Sequence, residues 1–179
     1  LNQRALGDAC TSRDMAKTFI YAFLLGAGTG KVSQILGVSH SDAEEAIQNF
    51  LNAYPGLRIL RDHQIKADAD RGYFIGLDGR VVSCDSTHLM LAGYLQNAEA
   101  VIMKTANLIW RENLEKEGIS YKQINFVHDE WQVELDDLTS AKKAGTLIVS
   151  AITEAGLKLK VRCPLTGNFK IGVNWLDTH

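Results

Sequence analysis

The sequence predicts an α+β fold, and three observations predict it. β-forming residues flank Leu77-Asp78-Gly79 in one stretch and His128-Asp129-Glu130 in another, and a tight polar turn between β-formers marks an antiparallel hairpin. Around these hairpins apolar residues recur at helical spacing, most persistently from about Leu89 to Glu117. Helices interleaved with hairpins, rather than strands alternating with crossover helices, give α+β and not a doubly wound sheet.

Taken in order, residues 1–11 carry no clear period. Ser12 is a good N-cap, so Arg13 to Leu25 reads as a helix stopped by Gly26. Gly26, Gly28 and Gly30 make a flexible turn, and Lys31 to Leu36 a short helix stopped by Gly37. Ser41 and Glu44 form a capping box that opens a helix to about Tyr54. Pro55-Gly56 breaks it, and a further helix runs from about Leu57 to Ala69. Tyr73 to Ile75 and Val81 to Val82 supply the first hairpin, and Gly118 ends the long helix that follows. Tyr121 to Val127 and Trp131 to Leu135 supply the second. Asp137 caps a helix to about Ala155, and Leu157 to Val161 reads as a closing strand. No repeat, low-complexity segment or linker-like composition interrupts the chain.

At 179 residues and 46% apolar content the chain can bury one sizeable core. No run of about 18 apolar residues spans a membrane, and no basic segment ahead of an apolar run marks a secretory signal. The first residue, Leu1, is what a fragment or a processed chain would show. Cys10, Cys84 and Cys163 are far apart and form no CxxC pair, which argues against a zinc knuckle or disulfide framework; they read as free thiols of a reducing cytoplasm. A net charge of -2 is not that of a protein basic over its whole surface, but a local basic groove remains compatible with it.

Three constellations could carry chemistry. Arg13, Lys17 and Tyr21 are spaced by four, so they fall on one helical stripe, with two cations at one end and an aromatic hydroxyl at the other. Such a stripe can grip a triphosphate and a sugar or base; its plainer reading is a solvated face. His128, Asp129 and Glu130 stand at the end of the apolar run Ile124, Phe126, Val127, where a carboxylate is a good ligand for a hard cation such as Mg²⁺; the plainer reading is a charged turn. Gln96, beside Asn97 on the long helix, offers an amide that can read minor-groove acceptors, or simply be solvated. Gly26 to Lys31 imitates a phosphate-binding loop. Leu25 and Val32 occupy the positions where that motif needs Gly and Ser or Thr, and the segment follows a helix.

In order and together these pieces resemble the DNA polymerase I family (family A), in its phage type. Residues Arg13 to Tyr21 resemble the fingers helix, motif B, and Val127-His128-Asp129-Glu130 the palm hairpin, motif C. Gly76 to Arg80 and Gln96-Asn97-Ala98 fall between them at the family's spacing, and Asn174 to His179 resembles the way these enzymes close, which would make His179 a natural C-terminus. The resemblance implies part of a right-hand architecture, with fingers helices over about 12–70 and palm over about 71–179. It implies template-directed transfer of a nucleotide from dNTP to a primer 3′ hydroxyl with two Mg²⁺ ions. Arg13 and Lys17 would bind the phosphates, Lys17 also being a proton donor to pyrophosphate. Tyr21 would sit against the sugar, a residue associated with acceptance of dideoxynucleotides. Asp129 would ligate metal with Glu130 supporting it, and Gln96 and His128 would touch the primer end. Primer–template DNA and dNTP are the implied partners. A processivity factor binds some relatives through a thumb insertion. No membrane is implied, and the setting would be the cytoplasm of an infected host.

The chain departs from the family at Leu25, usually a second Tyr, and at Asp85 and Ala92, often Arg and Asn. Motif A, with the other metal-binding Asp, has no counterpart here: Asp8 sits in an irregular polar segment. These 179 residues are therefore expected not to polymerise alone. Three rivals stand beside this reading. A metal-dependent hydrolase around His128 to Glu130 would need ligands that no HxH or HExxH pair supplies. A degenerate remnant would bind nucleic acid without catalysis. A single-subunit RNA polymerase would show Ser in place of Glu130 and Tyr in place of Leu25.

Overall fold

Helices, two separate two-stranded antiparallel sheets and an irregular tail make up the α+β chain. The computed structural model describes residues 2–84 and 86–178, so the expectations at Asp85 and His179 lie outside the described residues. The chain divides into two compact units, Leu1–Leu95 and Gln96–His179.

The first unit opens on α1 (Asn2–Leu6) and a 3₁₀ turn (Gly7–Ala9), where no period was expected. Asp8 lies in that turn and not on a strand. Then comes α2 (Arg13–Leu24), capped by Ser12, whose Oγ accepts from the Met15 amide at 3.1 Å. It closes on Gly26 at φ +86, with the Ala27 amide reaching back to the Ala22 carbonyl. That closure needs a left-handed residue, which glycine supplies without steric cost. Next, α3 (Thr29–Leu36) begins earlier than expected, so Gly30 is helical and not part of a flexible turn. The cap of α4 (His40–Ala53) is likewise two residues early: Ser39 accepts from the Asp42 amide, and Ser41 lies inside the helix. Both serines have an acidic residue three places on, and the chain uses the pair in which Ser39 also donates to Asp42 at 2.7 Å.

Apolar faces of these helices meet around Phe19, Phe23 and Phe50, with Phe19 and Phe50 edge to face at 5.1 Å. Pro55 starts α5 (Pro55–Ile59) at a position where its missing N–H costs nothing. The helix runs on through a π-helical segment (Leu60–Ile65) into α6 (Lys66–Arg71). Asp68 on α6 is fully buried, its carboxylate taken up by Arg71 and by Gln64 at 3.1 Å, which is how a buried charge is tolerated. Strands β1 (Tyr73–Ile75) and β2 (Val81–Ser83) form the first hairpin as expected, with Gly79 at φ +83 in the turn. Phe74, Ile65, Met90 and Leu91 close a smaller core beside them.

The long helix α7 (Thr87–Lys116) passes from the first unit into the second and ends at Gly118, φ +66. The second unit continues with β3 (Tyr121–Val127), β4 (Glu130–Leu135), α8 (Leu138–Lys158) and the one-turn α9 (Trp175–Thr178). Trp110 and Leu114 of α7 meet Ala144, Ala151 and Ala155 of α8, and Tyr121, Trp131, Val133 and Leu135 lay the hairpin on this core. The closing strand expected over Leu157 to Val161 is not formed. Instead α8 runs to Lys158 and winds up through Lys160, which takes the left-handed position at φ +56 while the Val161 amide returns to Gly156 O. The tail then lies along α8, where two glycines give it room: Phe169 occupies the space a Cβ on Gly145 would fill, and Leu165 that on Gly156.

Candidate active site

The α2 stripe is built as the spacing predicts. Ala16, Phe19 and Phe23 are buried, and Arg13, Lys17, Tyr21 and Leu25 are exposed on the opposite side. Lys17 Nζ lies 6.0 Å from the centre of the Tyr21 ring, the outer limit of a cation–π contact. Among the described residues neither Arg13 nor Lys17 has a carboxylate within ion-pair distance. Two cations one turn apart, both without an anionic partner, leave a local positive field aimed at solvent. Leu25 extends the stripe by one more turn with 54% of its surface exposed, an apolar end where a Tyr would carry a hydroxyl.

The second-unit site is the tip of β3–β4. Val127 pairs with Glu130, so His128 and Asp129 are the two turn residues. A two-residue hairpin turn needs positive φ at its first position or at both, and His128 takes it at φ +51. His128 and Asp129 are exposed, and Glu130 is half-buried. Among the described residues Asp129 is in no ion pair.

A β-bulge shapes the rest. The register passes from Gln123 opposite Val133 to Asn125 opposite Gln132, leaving Ile124 unpaired. One extra residue reverses the alternation of β3. Tyr121 and Gln123 lie opposite the core residues Leu135 and Val133, whereas beyond the bulge Phe126 lies opposite Trp131 and Asn125 and Val127 turn to the other face. That face therefore gathers Asn125, Val127, Glu130 and Gln132 behind the tip. With His128, Asp129 and Trp175 of α9 they wall a cavity of about 230 Å³. Gln132 donates to Glu130 and accepts from Thr178.

Gln96 is exposed on α7, and Asn97 beside it is half-buried. Arg13, Lys17 and Tyr21 thus stand together in the first unit and His128, Asp129 and Glu130 in the second, each set described within its own unit. Among the described residues no three His, Cys, Asp or Glu side chains converge to hold a metal ion. Asn125 and Gln132 were not singled out in the sequence, and Trp175 and Thr178 were noted only within the closing segment Asn174 to His179, without a place in the site. Gln132 could have been found by the period of two from Glu130; Trp175, 45 residues further on, has no local signal.

The family model of DNA polymerase family A matches residues 8–177. The chain belongs to DNA polymerase family A. It is 36% identical to the DNA-directed DNA polymerase of Escherichia phage Phieco32, over 99% of this chain and 30% of that protein. It is 32% identical to that of Escherichia phage T7, over 94% of this chain and 27% of that protein. Among solved structures it is similar to the POL domain of Pol1 from M. smegmatis in complex with DNA primer-template and dNTP, with a TM-score of 0.75 at 16% identity, over 87% of this chain and 31% of that one. The fold is therefore that of a portion of a family A POL domain, and the chain spans about a third or less of the curated relatives it matches. Family membership sets aside the stand-alone hydrolase and the single-subunit RNA polymerase as descriptions of this chain. No described helix is long and apolar enough to cross a membrane.

Proposed function

We propose that this chain supplies the nucleotide-binding fingers helix and the motif C half of the metal-binding palm in a longer DNA-directed DNA polymerase that serves phage replication in the cytoplasm of an infected host. Residues of about 12–70 act as fingers and about 71–179 as palm. The observation that carries the reading is the α2 stripe, whose two cations are exposed, a helical turn apart and, among the described residues, without carboxylate partners.

The substrates are primer–template DNA and dNTP. Arg13 binds phosphate oxygens through its planar fork, and Lys17 neutralises the charge that develops on departing pyrophosphate and then protonates it. Tyr21 lies against the sugar. Gln96 and His128 contact the primer end.

The tip residues suit Mg²⁺ in one respect. Asp129 is an exposed oxygen donor in no ion pair among the described residues, and Mg²⁺ takes one or two carboxylates and completes its shell with water and substrate phosphates. Asp129 would hold the ion, with Glu130 supporting the site, and a second carboxylate must come from another strand, because no three-ligand cluster exists among the described residues. Bound Mg²⁺ would activate the primer hydroxyl and stabilise phosphoryl charge.

The test is steady-state primer extension by the full-length polymerase that carries this chain. Lys17→Ala should lower kcat by roughly 100-fold or more, and Arg13→Ala should raise the KM for dNTP by about 10-fold or more through loss of a charge-assisted contact. Asp129→Ala should abolish extension. Normal extension by both Lys17→Ala and Asp129→Ala refutes the assignment, and no extension by the wild-type full-length protein leaves the non-catalytic remnant as the reading.

A further inference from the structure

Gln132 stands two residues beyond Glu130 on β4, and strand alternation places both on the face that walls the tip cavity. Its side-chain amide is held at both ends. Nε2 donates to Glu130 Oε1 at 2.5 Å, and Oε1 accepts from Thr178 Oγ1 at 3.2 Å. The carboxylate end fixes the orientation of the amide, because only the NH₂ group can donate to it. Thr178 has one hydroxyl proton and two further acceptors, Trp175 O at 3.1 Å and Asn174 O at 3.5 Å. Of these three acceptors Gln132 is the one on the hairpin, so this contact joins α9 to β4. The one-turn helix is itself secured, since the Asp177 amide donates to Asn174 Oδ1 and the Val173 amide to Asp177 Oδ2.

We propose that Gln132 is a positioning residue for the polymerase reaction: it aims the Glu130 carboxylate beside Asp129, and Thr178 on α9 steadies Gln132 from behind. The inference rests on the polymerase reading of the tip. Magnitudes favour a positional role over a stabilising one. A hydrogen bond between half-exposed side chains adds little to the stability of a whole domain. A Glu side chain has several rotamers of similar cost, so a bond that favours one of them changes position more than stability, and a misplacement of about 1 Å at a reacting centre costs roughly 100-fold in rate. The bulge at Ile124 also brings Asn125 opposite Gln132, and so onto the face that Glu130 and Gln132 share.

The experiment is steady-state primer extension and thermal unfolding of the full-length polymerase carrying this chain. Gln132→Met keeps length and volume but removes the amide. Its kcat should fall about 10-fold, the loss of one hydrogen bond to a charged group, with KM for dNTP and primer–template within about twofold and an unchanged unfolding midpoint. The double variant Glu130→Ala/Gln132→Met should be no slower than Glu130→Ala, because Gln132 acts only through Glu130. Thr178→Val should lower kcat about two- to threefold and add nothing on top of Gln132→Met; it carries the test if Gln132→Met fails to fold. A wild-type kcat for Gln132→Met, or full additivity with Glu130→Ala, overturns the inference. Asp129→Ala, run alongside, separates the two failures. Abolished extension there with a wild-type Gln132→Met removes only this inference, and retained extension removes the polymerase reading with it.

Discussion

His128 takes the one backbone conformation in the hairpin that its residue type resists, φ +51 at the first turn position. A non-glycine residue there costs roughly 1–2 kcal/mol, and glycine would escape that cost but lose about 0.5–1 kcal/mol in unfolded-state entropy. The net favours glycine by about 0.5–1 kcal/mol. His128→Gly should therefore leave the urea midpoint of the chain unmoved or slightly raised while lowering primer extension by the full-length enzyme, because the imidazole at the primer end is gone. Extension equal to wild type would show that the turn needs only its geometry. The composition of the tip was legible from the sequence, since adjacent carboxylates after an apolar run stand out. The strain at His128 was not, because nothing local distinguishes a His forced into a left-handed turn from a His in a loop. On α2 the four-residue spacing named the exposed stripe correctly, and the buried Phe19 and Phe23 explain why: an aromatic face can turn only one way when a core waits beneath it.

At the scale of elements, local signals worked where one residue decides and failed where two candidates compete. Ser12 and Asp137 each cap the helix expected of them, but Ser39 displaced Ser41 two residues upstream. The end of α8 was missed because its left-handed closure falls on Lys160, not on a glycine, and the β-forming Val161 beside it imitates a strand. The bulge at Ile124 left no trace in the alternation of β3. Asp137 gives a pH test of one element. The Ser140 hydroxyl and the amides of Ser140 and Thr139 hold its carboxyl below the ordinary value. A depressed folded-state pKa stabilises above the unfolded value and is lost as pH falls through the folded one. Asp137→Asn keeps a cap acceptor without the acid dependence, so its midpoint should vary less with pH than the wild type's below the normal carboxylate range; parallel pH curves would show that the cap contributes no acid sensitivity. Gly145 tests the tail. A Cβ there would lie 2.5 Å from the Phe169 ring. Overpacking of this kind costs about 1–3 kcal/mol, against about 1 kcal/mol gained from alanine's helix propensity. Gly145→Ala should lower the midpoint, yet raise it in a Phe169→Ala background, and the same sign in both backgrounds would show that the tail does not seat there.

For the molecule as a whole, the decisive quantity is the number of carboxylates that these residues can bring to one metal-binding centre. Hairpin β3–β4 contributes Asp129 from its turn and Glu130 from the start of β4, in a sheet of two strands among the described residues. The acidic residue nearest the start, Asp8, lies in a 3₁₀ turn between α1 and α2 and not on a strand that could pair with that sheet. In-line phosphoryl transfer with two ions needs oxygen ligands on both sides of the reacting phosphorus, and a lone hairpin tip offers them on one. A polypeptide of these 179 residues should therefore show no template-directed extension of a labelled primer with Mg²⁺ and all four dNTPs, even where dNTP binding to the α2 stripe survives. Titration of a fluorescent dNTP against the wild-type polypeptide and its Arg13→Ala/Lys17→Ala variant would report that binding separately from chemistry. Robust extension by the isolated polypeptide would mean that a second carboxylate is recruited from within it, and the division of labour proposed for fingers and palm would have to be redrawn.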